Sequence, residues 1–229
     1  EYKPSYSSFT LADDHPFNIT QRLTTEALEF IGATREQPYF LWLNYQDPHP
    51  AFCCPKPYDT MFDPEQIELS PAATDYQKNR QPVRNEVFRV HSEMTQCTEE
   101  DLKRAISHYM GQVRYVDDNV GRITEFLKEN GDDRKTVILF FSDHGELLGD
   151  YGMTHKNPTF YECLSHIPTI LVHPDGRWKQ TKFRGLTEEV DLVPTLLELL
   201  GVEIPPTMVG KSWVKDLNVG NDAGKETIL

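Results

Sequence analysis

An aspartate and a histidine stand next to each other where an apolar segment of the chain ends. Val137 to Phe141 is an unbroken apolar run, Asp143 and His144 follow it, and Gly145 allows a sharp backbone turn. A carboxylate and an imidazole at the carboxyl end of a buried strand are placed like a metal-binding or an acid–base pair. The alternative interpretation is a strand-end turn, with the aspartate as a helix cap and the histidine on the surface.

Two more side chains of suitable chemistry occur near similar breaks in the apolar pattern. His49 lies between Pro48 and Pro50 after an aromatic-rich run, and Lys156 follows a glycine-containing turn. The two prolines fix the backbone around His49, and Lys156 is expected to be charged at neutral pH. Both groups can stabilise negative charge or pass a proton to a leaving group. His155 is a further candidate donor or ligand that ranks below Lys156, because no motif fixes it.

The spacing of apolar residues indicates the elements that must position these side chains. Thr98 to Asn130 has helical periodicity, a capping box formed by Thr98 and Asp101, and a terminating Gly131, which together predict a long helix. Strands are predicted over 39–45, 137–141 and 167–173, and shorter helices over about 18–32 and 191–200. This alternation predicts an α/β fold with a mostly parallel sheet flanked by helices.

Two other features are given a structural interpretation. Asp117 and Asp118 resemble a metal-binding pair, but adjacent helical positions point about 100° apart. We therefore expect a solvated face or a structural hydrogen bond there. Residues 51–97 are rich in Pro, Asp, Asn and Gln and are expected to form a long excursion over the surface, of a kind that often acts as a lid or binding loop.

Composition excludes several classes of function. The net charge of −13, from 23 basic and 36 acidic residues, argues against a nucleic-acid partner. No apolar run approaches the roughly 18 residues of a membrane span. The four cysteines lack Cys-x-x-Cys spacing, which argues against a zinc site or a disulfide scaffold. They favour a reducing, cytoplasmic compartment, although a periplasmic or secreted location and one disulfide stay open, and the oligomeric state is undetermined.

Several blocks of the sequence, taken in order, resemble the sulfatase family of the alkaline-phosphatase-like superfamily. They are DPHPAF, YMGQVRYVDDNVGRITEFL, SDHGELLGDYG with the His-Lys pair after it, and EVDLVPTLLELLGVEIPPTMVGKS. The resemblance runs from about residue 20 to residue 213. It implies an incomplete alkaline-phosphatase-like α/β fold, in which residues 1–204 form part of a catalytic domain and 205–229 begin a C-terminal region.

The resemblance also implies a role for each matching residue. Asp143 and His144 take the place of metal ligands, while Lys156 and His49 take the place of groups that contact the sulfate. The pattern around His49 is Pro-His-Pro where the family has Pro-His-x-Pro. The implied metal is a divalent ion, with calcium first; the imidazole of His144 is unusual for such a hard cation and keeps manganese and zinc open. The implied substrate is a small-molecule or saccharide sulfate ester.

Two family features do not occur in the sequence. They are the family's upstream Asp-Asp metal pair and a Cys- or Ser-x-Pro-x-Arg motif, whose first residue becomes the formylglycine nucleophile. The segment Cys53-Cys54-Pro55-Lys56-Pro57 has a proline in place of the arginine and comes too late in the family order. We therefore expect a central and C-terminal part of a sulfatase, with formylglycine upstream. Alone, this part is expected to be inactive and to bind metal weakly.

Two alternatives to a sulfatase remain open at the level of sequence. A phosphonate monoester or phosphodiester hydrolase of the same superfamily shares the same His, Asp and Lys positions. A non-catalytic binding module on the same framework is the other alternative, although it need not retain Asp143, His144 and Lys156 together.

Overall fold

The computed structural model describes residues 6–12, 15, 18–33, 37–75, 82–91, 94, 96–220, 224–225 and 228. The chain divides into two compact units. The first comprises Glu1–Asp133 and His144–Ile167, and the second comprises Arg134–Asp143 and Pro168–Leu229. Three of the four predicted site residues, His49, His144 and Lys156, therefore belong to the first unit. Asp143 is the last residue of a segment of the second unit.

The first unit combines a parallel pair of strands with helices. The strands are β1 (Ser8–Leu11) and β2 (Phe52–Pro55). The helices are α1 (Ile19–Ala33), α2 (Pro71–Asp75), α3 (Val83–His91), α4 (Glu99–Glu129) and α5 (Glu162–Ser165). Helix α4 packs against α1 and against both strands, and it is the element around which this unit is built.

The predicted long helix is confirmed as α4, together with its termini. The hydroxyl of Thr98 accepts the backbone N–H of Asp101 at 3.1 Å, and the Asp101 carboxylate accepts the N–H of Thr98 at 3.2 Å. This capping box satisfies backbone donors that have no partner inside the helix. Gly131 follows the last turn with a φ of 69°, a left-handed conformation that glycine adopts without steric cost.

Asp118 on α4 makes structural contacts. Its carboxylate accepts the hydroxyl of Tyr58 at 2.9 Å and the guanidinium of Arg114 at 2.6 Å. The neighbouring Asp117 is exposed. The expected structural hydrogen bond is thus confirmed for one member of the pair and the expected solvated face for the other.

The segment 39–45, predicted as a strand, belongs to no strand of the described chain. Its side chains still alternate between half-buried and exposed positions, and Phe40 and Trp42 are 70% and 63% exposed. The prediction of a strand over 39–45 was therefore wrong, although the segment keeps the alternation of side chains that suggested it.

Residues 51–97 are not a plain surface excursion. They begin with β2, in which Phe52 and Cys54 are fully buried, and they continue through α2 and α3. The sequence did not predict the buried residues of β2, which packs against α4, because the segment is polar in composition.

The second unit contains strands β3 (Ile138–Phe141) and β4 (Thr169–Val172) and helices α6 (Leu192–Leu199) and α7 (Val214–Val219). Both strands were predicted. They pair antiparallel and not in parallel as expected, whereas β1 and β2, which the sequence pattern did not predict as strands, pair in parallel. The residues of β3 are half-buried, whereas the sequence predicted a fully buried strand. None of the described helices combines the length and apolar character needed to cross a lipid bilayer.

Candidate active site

Lys156 and His144, predicted from the sequence, are in direct contact. The Lys156 Nζ atom lies 2.8 Å from the His144 Nε2 atom, and the His144 Nδ1 atom lies 2.7 Å from the carbonyl oxygen of Gly145. An ammonium group only donates and a carbonyl only accepts. This arrangement therefore assigns the neutral imidazole tautomer in which Nδ1 carries the proton and Nε2 accepts from Lys156.

Gly145 is required here by close packing. A Cβ atom at this position would lie 1.9 Å from the carbonyl oxygen of Cys163. The Gly145 N–H donates to the Leu164 carbonyl oxygen at 2.8 Å, so the backbone after the Asp-His pair lies directly on α5. The sequence pointed to a turn that needs a flexible residue; the φ angle of Gly145 is not positive, and the absence of a side chain is what the position uses.

Glu146 closes the loop that returns Lys156 to His144. One of its carboxylate oxygens accepts the N–H of Leu148 at 3.3 Å and the N–H of His155 in a short hydrogen bond. Burial raises the pKa of Glu146, and the two N–H groups together with the nearby imidazoles of His155 and His144 oppose that rise. Sequence analysis did not identify this residue, although its position directly after Asp-His-Gly was an available signal.

An apolar cluster stabilises the loop between His144 and Lys156. Leu147, Met153 and Leu164 are buried together, and Phe88 of α3 packs against them. The loop contains three non-glycine residues with positive φ: Leu148, Tyr151 and His155. Such conformations are disfavoured for residues with a side chain, so the cluster and Glu146 must hold them in place.

His49 lies beside His155 in the same unit. Their ring centroids are 6.3 Å apart with the rings nearly perpendicular, and the His49 Nδ1 atom lies 2.7 Å from the Pro50 carbonyl oxygen. His155 directly precedes Lys156, and its Nε2 atom is buried without a hydrogen-bond partner within the described part of the chain. A buried nitrogen in this state favours a further ligand or donor partner at this point, in line with the secondary role expected of His155.

The segment that leads to His49 is anchored in the interior. The Asp47 carboxylate accepts the Thr20 hydroxyl of α1 at 2.6 Å and the Gln112 side-chain amide of α4 at 3.0 Å. Burial raises the pKa of Asp47, and these two donors counteract the rise. His49 itself is exposed, so a fixed backbone presents a solvent-accessible imidazole.

A cleft of about 510 Å³ opens beside Lys156 and His144. Its lining consists of these two residues, the segment 157–160, Leu164 and Ser165. A lining that combines the cationic Lys156 and hydrogen-bonding groups with the apolar Pro158, Phe160 and Leu164 suits an anionic ester with an organic leaving group.

The predicted metal ligands meet only part of what a divalent ion requires. The tautomer of His144 leaves an Nε2 lone pair of the kind that a metal ligand needs. That lone pair is taken up by Lys156, and no group of three or more His, Cys, Asp or Glu side chains suited to a metal occurs among the described residues. Asp143 directly precedes His144 and is exposed. The described residues thus offer donors for a metal but not a complete metal site.

Comparison with solved structures defines the class of fold. The chain superposes on the phosphonate monoester hydrolase SpPMH from Silicibacter pomeroyi with a TM-score of 0.81 and 29% sequence identity, over 100% of this chain and 48% of that one. The fold is therefore the alkaline-phosphatase-like α/β fold in incomplete form, as the sequence predicted.

Comparison with known sequences identifies the family. The sequence model of the Sulfatase family matches residues 2–202, and the chain belongs to this family. It is 29% identical over 227 residues to the multifunctional alkaline phosphatase superfamily protein PehA of Trinickia caryophylli, covering 93% of this chain and 44% of that protein. It is 30% identical over 207 residues to an arylsulfatase of Clostridium perfringens, covering 89% of this chain and 42% of that protein. The chain spans less than half the length of these relatives.

Sulfatases as a family use a divalent metal ion and a formylglycine nucleophile. The Cys- or Ser-x-Pro-x-Arg motif of that nucleophile does not occur in this sequence. In the segment Cys53-Cys54-Pro55, the position of the nucleophile corresponds to Cys53, which is half-buried. The adjacent Cys54 is fully buried, and burial raises its pKa to about 12. That thiol is unreactive at neutral pH.

Proposed function

We propose that this chain is part of a sulfuric-ester hydrolase in which His49 and Lys156 act on the ester. The contact between Lys156 and His144 in the lining of the cleft is the observation that carries the proposal. It places a cation where an anionic head group would bind, in a chain whose net charge of −13 would otherwise repel an anion. The substrate class is a small-molecule or saccharide sulfate ester.

The chain's own residues have distinct roles in this proposal. When the S–O bond to the leaving group breaks, negative charge builds up on the leaving oxygen and on the sulfuryl oxygens. Lys156 stabilises that charge with its ammonium group, and the rigid loop closed by Glu146 keeps it in place. His49, in its protonated form, gives a proton to the departing oxygen, while His155 is a further donor to the sulfate.

Asp143 and His144 are the proposed ligands of a divalent ion, with calcium first and manganese or zinc as alternatives. When bound, the ion would polarise the sulfate oxygens as a Lewis acid. The nucleophile, formylglycine, is proposed to come from outside this sequence. In the same proposal, residues 1–204 form part of the catalytic domain and 205–229 begin a C-terminal region.

Phosphonate monoester or phosphodiester hydrolysis is a second candidate. The observation in its favour is the similarity of the fold to a phosphonate monoester hydrolase at a TM-score of 0.81. Sulfate and phosphonate monoesters both present an anionic head and an oxygen leaving group, so the same Lys and His groups serve either reaction.

Kinetics on the full-length protein separates these candidates. The rates of hydrolysis of 4-nitrophenyl sulfate and of 4-nitrophenyl phenylphosphonate are measured side by side. We expect the sulfate ester to be preferred, and Lys156→Ala to lower kcat on the order of 10²-fold. Lys135→Ala, at an exposed lysine of the second unit, serves as the control. A large preference for the phosphonate ester would favour the phosphonate or phosphodiester hydrolase over the sulfatase. If neither ester is hydrolysed, both hydrolase proposals are wrong and a non-catalytic binding module is the alternative.

A further inference from the structure

The lining of the cleft includes an aromatic ring that has no role in the proposed chemistry. Phe160 lines the cleft together with Lys156 and His144. Its side chain is 88% exposed, more than any other exposed aromatic residue in the described chain. Covering an exposed phenyl ring with another flat apolar group is favourable, because apolar surface is removed from water and the two rings make contact.

The neutral polar side chains of the cleft lining are already engaged within the protein. The Thr159 hydroxyl donates to the Asn157 side-chain oxygen in a short hydrogen bond, and the Asn157 amide lies 3.3 Å from the Met153 sulfur. The Ser165 hydroxyl donates to the Tyr161 carbonyl oxygen at 3.2 Å. Hydroxyl groups of a sugar bound here would lose water and find few donors in exchange, and unpaired polar groups are costly.

We propose that Phe160, with Pro158 and Leu164, forms a subsite for a flat aromatic leaving group of the ester. The inference rests on the proposed function, because the anionic head of the same substrate would sit at Lys156. It narrows the substrate class from sulfate esters in general to aryl esters. Phe160 determines specificity in this arrangement: it binds the part of the substrate that departs and takes no part in breaking the bond.

Binding of two anions with the same head group tests the subsite without requiring catalysis. Methylphosphonate and phenylphosphonate are titrated into the full-length protein by calorimetry, and their dissociation constants are compared. We expect phenylphosphonate to bind about three- to tenfold more tightly, which corresponds to one aromatic contact. Phe160→Ala should remove this preference and leave the affinity for methylphosphonate unchanged, whereas Phe160→Tyr should retain it.

Phe40→Ala is the matched control, because Phe40 is also an exposed ring of the first unit, at 70%, and does not line the cleft. The proposed subsite is wrong if phenylphosphonate fails to bind or if the preference for phenylphosphonate survives in Phe160→Ala. The affinity for glucosamine 6-sulfate, a saccharide sulfate, is measured as well. The subsite is also wrong if Phe160→Ala weakens the binding of this sugar more than the binding of phenylphosphonate. A separate variant addresses the proposed function: Lys156→Ala should weaken both phosphonates equally. If both phosphonates keep their affinity in Lys156→Ala, the anion site is wrong, whatever the result at Phe160.

Discussion

The carboxylate of Glu146 accepts the backbone N–H of His155, the residue directly before Lys156. Through this hydrogen bond, a buried side chain next to the Asp-His-Gly turn fixes the far end of the loop. The loop then returns to its start, where Lys156 meets His144 at 2.8 Å. The position of the lysine thus depends on a residue that does not itself reach the cleft lining.

Removing this carboxylate should misplace Lys156. Glu146→Ala is expected to lower kcat/KM of the full-length protein on the order of 10²-fold, since small errors in positioning cost about that much. Glu146→Gln keeps an acceptor oxygen and should recover part of the loss. Steady-state kinetics measures both, with Glu162→Gln on the exposed surface of α5 as the control. Equal rates for Glu146→Ala and the control would show that the loop holds its shape without Glu146.

The anchor of the His49 segment should be visible in stability. Thr20→Val preserves shape but removes the hydroxyl that donates to Asp47 at 2.6 Å. The loss of a donor to this half-buried carboxylate is expected to lower the free energy of unfolding by about 1–3 kcal/mol. Urea denaturation measures this change. Thr25→Val, at an exposed position of the same helix, should change stability by less than about 0.5 kcal/mol, and similar losses at both positions would contradict the anchoring role of Asp47.

Two glycines of α4 should respond in opposite directions to the same substitution. A Cβ at Gly111 would lie 2.4 Å from the Tyr58 carbonyl oxygen, whereas a Cβ at Gly121 would have no atom within 4 Å. Gly111→Ala is therefore expected to destabilise the protein by about 1–3 kcal/mol through overpacking. Gly121→Ala should stabilise it by up to about 1 kcal/mol through helix propensity. Thermal unfolding of the two variants tests this, and a stabilising Gly111→Ala would show that α4 can move away from Tyr58.

Asp191 should make the stability of the second unit dependent on pH. Burial raises its pKa, but the backbone N–H of Lys211, the Lys225 ammonium and the Glu188 N–H outweigh burial, so the pKa lies below the ordinary 3.8. A lowered folded-state pKa gives stability that is present above the unfolded-state value and is lost as the pH falls towards the folded-state value.

The free energy of unfolding should accordingly fall as the pH drops below about 4 in the native protein, and less so in Asp191→Asn. Chemical denaturation at a series of pH values provides the measurement. Asp216→Asn, at a half-buried position in the same unit, is the comparison. Parallel pH profiles for native protein and Asp191→Asn would exclude this carboxylate as the source.

Local signals in the sequence predicted the elements whose stability is local. Helix α4 was predicted with its cap because Thr98, Asp101 and Gly131 act within one turn of the helix ends. Strands β3 and β4 were predicted from their apolar runs. Their antiparallel pairing was not, because the partner of a strand is chosen by residues far away in the chain.

The residues of the candidate site were also predicted where the signal was local in the sequence and missed where it came from tertiary contacts. His49, His144 and Lys156 were identified by type and by family resemblance, and the structure brings His144 and Lys156 into contact. Glu146 and Phe160 were missed because their contributions come from tertiary contacts: a backbone N–H nine residues further along the chain and the wall of a cleft. Gly145 was singled out for its flexibility, but the nearby Cys163 carbonyl is the physical reason for a glycine there.

The peptide groups at Gly145 face in two directions at once. The carbonyl oxygen of Gly145 accepts a hydrogen bond from the Nδ1–H group of His144, and the N–H of Gly145 donates to the carbonyl oxygen of Leu164 in α5, a residue that also borders the cleft. The orientation of the imidazole is therefore tied through a single glycine to the backbone of α5, so the histidine and one border of the cleft share the same support.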